Sequence, residues 1–189
     1  MTLVVGLGNP GAQYALTRHN IGFILIDEMV SRLGAGHLSS KFQGELFRHN
    51  DTLFLKPSTF MNLSGASVGA VAQFYKPARI IVVQDDMDLP FGALRFKFGG
   101  SSGGHNGIRS IDQAIGTEYE RMRFGIGHSR FADGAGHVLG KFSGTELDAL
   151  RKNLDFYIDA LNFLLAHDVA QTQSKFSKKK GILDDETIS

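Results

Sequence analysis

Apolar positions along this chain change period several times, and each change marks an element. Leu3-Val4-Val5 is a short apolar run that feeds a glycine- and proline-containing turn from Gly6 to Gly11, the pattern of a buried strand. From Asn20 the spacing turns helical. Ile21, Ile24, Leu25, Met29 and Leu33 share one face, with Asn20 placed as the N-cap. Phe42 to Phe47 and Thr52 to Leu55 read as two strands around a polar turn at Asn50-Asp51. Asn62 to Tyr75 is rich in small residues and helical, ending before Pro77. Arg79 to Val83 is a continuous β-branched run, hence a central strand. Ala93 to Phe98 sets Leu94, Phe96 and Phe98 against Arg95 and Lys97, a half-exposed strand, and Arg121 to Ile126 alternates again. Asn106 to Ile115 is a short helix with Ile108, Ile111 and Ile115 inward, and Thr145 to His167 is a long amphipathic helix with one break. Strands alternating with helices predict an α/β fold, a single domain with a mixed sheet flanked by helices. That domain is expected to span residues 1–170. A polar, mobile C-terminal tail, 171–189, follows, with Lys178-Lys179-Lys180 ahead of Asp184-Asp185-Glu186.

Composition narrows the chemistry more than the fold. At 189 residues, 42% hydrophobic and 21% charged, the chain can bury one substantial core. The net charge of +1 means that a nucleic-acid partner must be met by a local patch rather than a global field. Such a patch exists: residues 93–141 carry seven Arg or Lys against four acids. With no cysteine, disulfides, thiolate nucleophiles and cysteine-based zinc sites are excluded, and a reducing, cytoplasmic location is expected. The first residues enter a strand at once, so no signal peptide is expected, and no apolar run has the roughly 18 residues of a membrane span.

Two motifs mislead. Gly6-Leu7-Gly8-Asn9-Pro10-Gly11 fits the dinucleotide fingerprint, but Pro10 removes an N–H from the cradle that would hold a pyrophosphate. The acids at the expected distance, Asp27 and Glu28, fall inside a helix rather than at a strand end. Gly65-Ala66-Ser67-Val68-Gly69 fits a nucleophile elbow, yet that elbow joins a strand to a helix and this stretch is helical throughout.

What remains is a set of neutral polar groups. Asn9, Asn20, Asn62 and Asn106 stand at loop-like positions beside His19 and His105. An imidazole can take a proton from water near neutral pH, and carboxamides donate to carbonyl or oxyanion oxygens without adding charge. Alone, His19 reads more simply as a helix-start residue that caps or packs locally. Its company changes this: Asn9 follows the first strand, Asn62 starts a helix, and Asp85 ends the central strand, where open α/β sheets place their crevice. An Asp there can accept from the imidazole Nδ1–H and leave Nε2 as the base. Asp85, Asp86 and Asp88 also admit a Mg²⁺ site, but no second carboxylate group stands at another strand end, and no metal is expected. Asp86 and Asp88 otherwise read as turn residues before Pro90. Gly99 to Gly104 runs into His105-Asn106 at a helix start, a place where free N–H groups bind anions or carbonyls. Lys97 and Arg123 project from strands and can clamp a phosphate, whereas Arg95, Arg109 and Arg130 fit a solvated face.

These motifs resemble those of the bacterial-type peptidyl-tRNA hydrolases. The resemblance is carried in order by Gly6 to Gly11, Tyr14 with Thr17 to Asn20, Phe60 to Gly65, Asp85 to Pro90, Gly103 to Gly107 and Arg121 to His128, and it spans roughly residues 3–170. It implies a monomeric α/β fold with a mixed twisted sheet, no metal or other cofactor, and an esterase that releases peptides from the 3′ ribose of tRNA. His19 falls on the family's base and Asp85 on its orienting acid. Asn9, Asn62 and Asn106 fall on amides that position water and substrate, with His105 beside them. Tyr14 and Met61 fall on cleft-lining positions, and Lys97 and Arg123 on cations for the tRNA 5′-phosphate. Gln84 replaces a His common before the strand-end Asp, Asp86 stands where Glu is usual, and Ser101-Ser102 replace part of a Gly/His stretch. A non-catalytic RNA-binding relative and a Mg²⁺-dependent phosphoesterase stay open as alternatives.

Overall fold

A computed structural model describes residues 1–128 and 134–183. Arg130, Asp133 and the acidic residues Asp184 to Glu186 lie outside them. Among the described residues seven strands form one sheet: β1 (Thr2–Gly6), β2 (Gly36–Ser39), β3 (Gly44–His49), β4 (Thr52–Pro57), β5 (Arg79–Asp86), β6 (Leu94–Phe98) and β7 (Glu120–Gly125). Their order is β2-β3-β4-β1-β5-β7-β6. The central strands β4, β1, β5 and β7 run parallel, while β3 on one side and β6 on the other run opposite to them and β2 pairs antiparallel with β3. The sheet is therefore mixed, and the carboxyl ends of four parallel strands open on one end of the molecule.

Helices cover both faces: α1 (Ile21–Leu33), α2 (Ser64–Tyr75), α3 (Asn106–Ile115), α4 (Gly134–Leu139), α5 (Gly144–Lys152), α6 (Leu154–Ala166) and α7 (Val169–Phe176). The two-residue period of the strands divides the core. Val4, Phe54, Ile81 and Val83 pack with α1 and α6 on one face. Their neighbours Leu3, Val5, Leu53, Leu55 and Val82 pack with α2 and α3 on the other. The carbonyls at the end of α1 are met by the backbone of Gly34, whose φ of 64° suits a residue without a Cβ. The predicted break in the long C-terminal helix is at Asn153, whose side-chain amide donates back to the Ala149 carbonyl at 2.8 Å.

Four differences from the sequence reading have physical causes. Asn20 holds the N-cap position of α1 but makes no capping bond, because its side chain is committed to Asn9. β2 is a short, mostly exposed edge strand with no apolar alternation to reveal it. α4 has six residues, two of them glycine, and is too short to show a helical period, so it reads as loop. Residues after 170 also form helix and pack onto the rest of the chain, where a polar tail was expected. α7 starts with a reciprocal Asp168–Gln171 capping box, and Thr172 is buried. Lys178 then bridges to Leu94, and Ile182, 6% exposed, donates its N–H to the Phe91 carbonyl at 2.9 Å. The capping box was the available signal. No helix among the described residues is long and apolar enough to cross a membrane.

Candidate active site

The polar residues collect where β1, β4 and β5 end. β5 carries Gln84 and Asp85 into the interior, and Asp85 is 1% exposed. A carboxylate so buried must be hydrogen-bonded. Both of its oxygens face Nδ1 of His19, at 2.9 and 2.8 Å, and Oδ1 also meets Nε2 of His105 at 2.7 Å. Burial works against ionisation of Asp85, but His105 and His19, by charge and by hydrogen bonds, outweigh it and hold the carboxyl well below the usual carboxylate range.

The backbone fixes the protons. His105 is the N-cap of α3, and its Nδ1 accepts from the N–H groups of Gly107 and Ile108 at 3.1 and 3.2 Å. Its proton therefore sits on Nε2 and is donated to Asp85. His19 donates from Nδ1, so its Nε2 keeps the lone pair and makes no hydrogen bond to any described residue. The two rings lie 4.9 Å apart, centroid to centroid.

His19 stands in a 3-10 turn, Arg18–Asn20, held from several sides. The Arg18 N–H donates to the Gly140 carbonyl, and its guanidinium reaches Glu146 at 2.9 Å and the His137 carbonyl at 3.3 Å. On the other side Asn20 makes a reciprocal pair with the Asn9 backbone, accepting its N–H and donating to its carbonyl, both at 2.9 Å. The Asn9 side-chain oxygen accepts the Met61 N–H at 2.7 Å. Its amide NH₂ thus remains free to donate.

A groove of about 480 Å³ is lined by His19, Asp85, His105, Asn106, Lys97 and Arg123, together with Gln84, Arg121 and the start of α4. Asn106 is exposed on it. Arg123 donates from Nε to Asp86 at 2.8 Å. Asp86 also accepts the Asp88 N–H, the turn role read from the sequence. The remaining predicted residues lie off this groove wall. Asn9 borders a separate cavity of about 410 Å³. Tyr14 packs edge-on against Phe60, with centroids 6.4 Å apart, and Asn62 is exposed on its own 3-10 turn. Met61 is 4% exposed and belongs to the core under α2 and α3.

Among the described residues, the group with the composition of a metal site is His19, Asp85 and His105. Its fit is poor. The N–O separations of 2.7–2.9 Å are hydrogen-bond lengths, whereas ligands tetrahedrally placed about zinc lie roughly 3.3 Å apart. The three aspartates of the rival reading do not converge: Asp85 faces the imidazoles, Asp86 faces Arg123, and the Asp88 side chain is 68% exposed.

A sequence profile of the peptidyl-tRNA hydrolases matches residues 3–182. The chain belongs to the peptidyl-tRNA hydrolase family. A peptidyl-tRNA hydrolase of Campylobacter curvus is 57% identical over 183 residues, 97% of this chain and 100% of that protein. One from Campylobacter hominis is 58% identical over 179 residues, 95% of this chain and 81% of its own length. The crystal structure of peptidyl-tRNA hydrolase from Acinetobacter baumannii has a TM-score of 0.87 at 36% identity, covering 95% of this chain and 97% of that one. In this family member, sequence reasoning missed Asn20 as the clamp on Asn9, Arg121 beneath the groove and α4 on its rim. Asn20 and Arg121 lie within motifs already singled out. For α4 the sequence carried no signal.

Proposed function

We propose that this protein hydrolyses the ester between a peptide, or an N-blocked amino acid, and the 3′ ribose of tRNA, with His19 as general base. The observation that carries this is the Asp85–His19 bond, which commits Nδ1 and leaves a lone pair on Nε2 at the groove. His19 takes a proton from water as the water attacks the ester carbonyl. The free amide of Asn9, or that of Asn106, donates to the carbonyl oxygen as it gains charge. His105, holding the second edge of Asp85, keeps the carboxylate in place and is a positioning group. Collapse of the tetrahedral intermediate expels the ribose oxygen, which recovers the proton from the His19 imidazolium.

Lys97 and Arg123 serve the phosphate end of the substrate, supplying affinity without reading sequence. Asn62, with Tyr14 and Met61, is assigned to the peptide side, where an amide contact would spare free aminoacyl-tRNA. The protein is read as a cytoplasmic monomer; one uniform mass by light scattering is the expected result for that state. For the reaction, N-acetyl-aminoacyl-tRNA and its unblocked counterpart are incubated with the protein in EDTA and ester release is measured. Release from the blocked substrate alone is expected. Binding without release would instead identify a non-catalytic RNA-binding protein, and release only with Mg²⁺ would move the chemistry to the aspartates.

A further inference from the structure

The groove holds one more cation than the two assigned to phosphate. In the antiparallel β6–β7 edge ribbon Lys97 lies directly opposite Arg121 and Arg95 opposite Arg123. Opposed residues share a face, as do residues two apart, so these positive charges are presented together. Like charges placed opposite each other weaken a sheet. Arg121 is moreover 2% exposed and has no carboxylate among its hydrogen bonds. Its guanidinium is held by the Gln84 side-chain oxygen at 2.6 Å and by the carbonyls of Gly99 and Ser101 at 3.3 and 2.8 Å. Lys97 has no hydrogen bond or ion pair among the described residues. Burial depresses its ammonium pKa, Arg121 and Arg123 press the same way, and Asp86 opposes them. Gly100, at a φ of 89°, leaves the Lys97 ammonium room that a Cβ, only 2.9 Å from Nζ, would take.

A buried cation without a counter-ion is costly, and placing Arg121 beside Lys97 and Arg123 is costlier. Such local conflict marks a place completed by a ligand. We propose that Arg121 is a third member of the phosphate site, a fixed charge beneath the groove, and that neutral Gln84 keeps that charge uncompensated. Asp86 is paired with Arg123 and Asp85 with the two imidazoles, which leaves Lys97 and Arg121 as two cations of the groove without a carboxylate partner among the described residues, the match for a terminal phosphate monoester rather than a singly charged backbone diester. The inference rests on the peptidyl-tRNA reading for the source of that monoester, the tRNA 5′ end.

The test is the affinity for deacylated tRNA with and without its 5′-phosphate, in wild type, Gln84→Glu, Arg121→Lys and Arg121→Gln. Wild type is expected to prefer the phosphorylated form about tenfold. Gln84→Glu keeps the bond to Arg121 and adds the missing counter-charge, so the preference should fall to about twofold or less. Arg121→Lys should retain most of it and Arg121→Gln should lose it. If thermal melts show that Gln84→Glu does not fold, the Arg121 pair decides. No preference in wild type, an unchanged preference in Gln84→Glu, or equal loss in both Arg121 variants would overturn the proposal, because a mere anchor for the Gly99–Ser101 backbone gives the last result. Ester release is assayed in parallel. Its absence with the phosphate preference intact would sink the hydrolase reading and leave the phosphate site standing.

Discussion

Asp85 governs the site through one low-lying ionisation. Its charged form is the acceptor for two imidazole N–H groups, so Asp85→Asn presents an amide where an anion stood. The variant is expected to lose about 10²-fold or more in kcat, because the tautomer that frees His19 Nε2 is no longer enforced. Stability follows the same group. A carboxyl whose folded pKa is depressed contributes stability above its unfolded pKa and loses it as pH falls through the folded value. The Tm gap between wild type and Asp85→Asn should therefore be full at neutral pH and narrow below about pH 4; a gap that widens in acid would contradict the assignment. Lys97→Ala acts on binding instead. KM should rise about tenfold, and the salt slope of binding should shrink by about one unit, with kcat little changed. At this scale His19, Asp85 and Asn9 stood out as candidates in the sequence because Asn9 follows the first strand, His19 precedes the first helix and Asp85 ends the central strand. The sharing of Asp85 by His105 did not, since it depends on β5 and α3 meeting in space.

Elements matter here by how closely they approach. Gly22, in the first turn of α1, lies so near the end of β1 that a Cβ would stand 2.5 Å from the Leu7 nitrogen and 2.6 Å from the Leu7 and Val83 carbonyl oxygens. Those are backbone atoms of the sheet and cannot turn aside. Gly22→Ala should cost about 2 kcal/mol or more in chemical denaturation, and it should also impair turnover because α1 carries the His19 turn on its N-terminus; unchanged stability would show that α1 can shift freely. Most elements could be read directly from apolar period, since their inward faces are nearly pure Ile, Leu, Val and Phe. β2 and α4 could not, β2 being a short and mostly exposed edge and α4 a glycine-rich helix of six residues. Asn20 shows a subtler limit. Its position at the start of α1 was read correctly and its bonding was not, because a side chain able to cap a helix can equally clamp a loop eleven residues away.

Over the whole molecule, the chain closes on itself through its C-terminal segment. Ile182 fills the space over Gly92 and is hydrogen-bonded to Phe91, while the Tyr157 hydroxyl donates to the Gly92 carbonyl at 2.7 Å. Ile182→Ala should lower stability by about 2 kcal/mol while the folded fraction keeps wild-type kcat; no loss would mean that the segment is not docked in solution. A run of polar residues concealed this, for one buried isoleucine and one threonine carry no period. The catalytic claim joins all three scales: a sheet that ends at Asp85, a turn that presents His19, and a groove with cations to seat tRNA. The most direct test is ester release from N-acetyl-aminoacyl-tRNA by wild type and His19→Ala, with thermal melts of both. Equal melting of the two proteins and a kcat lower by about 10²–10⁴-fold in the variant are expected. Near-wild-type turnover by His19→Ala would contradict His19 as the general base.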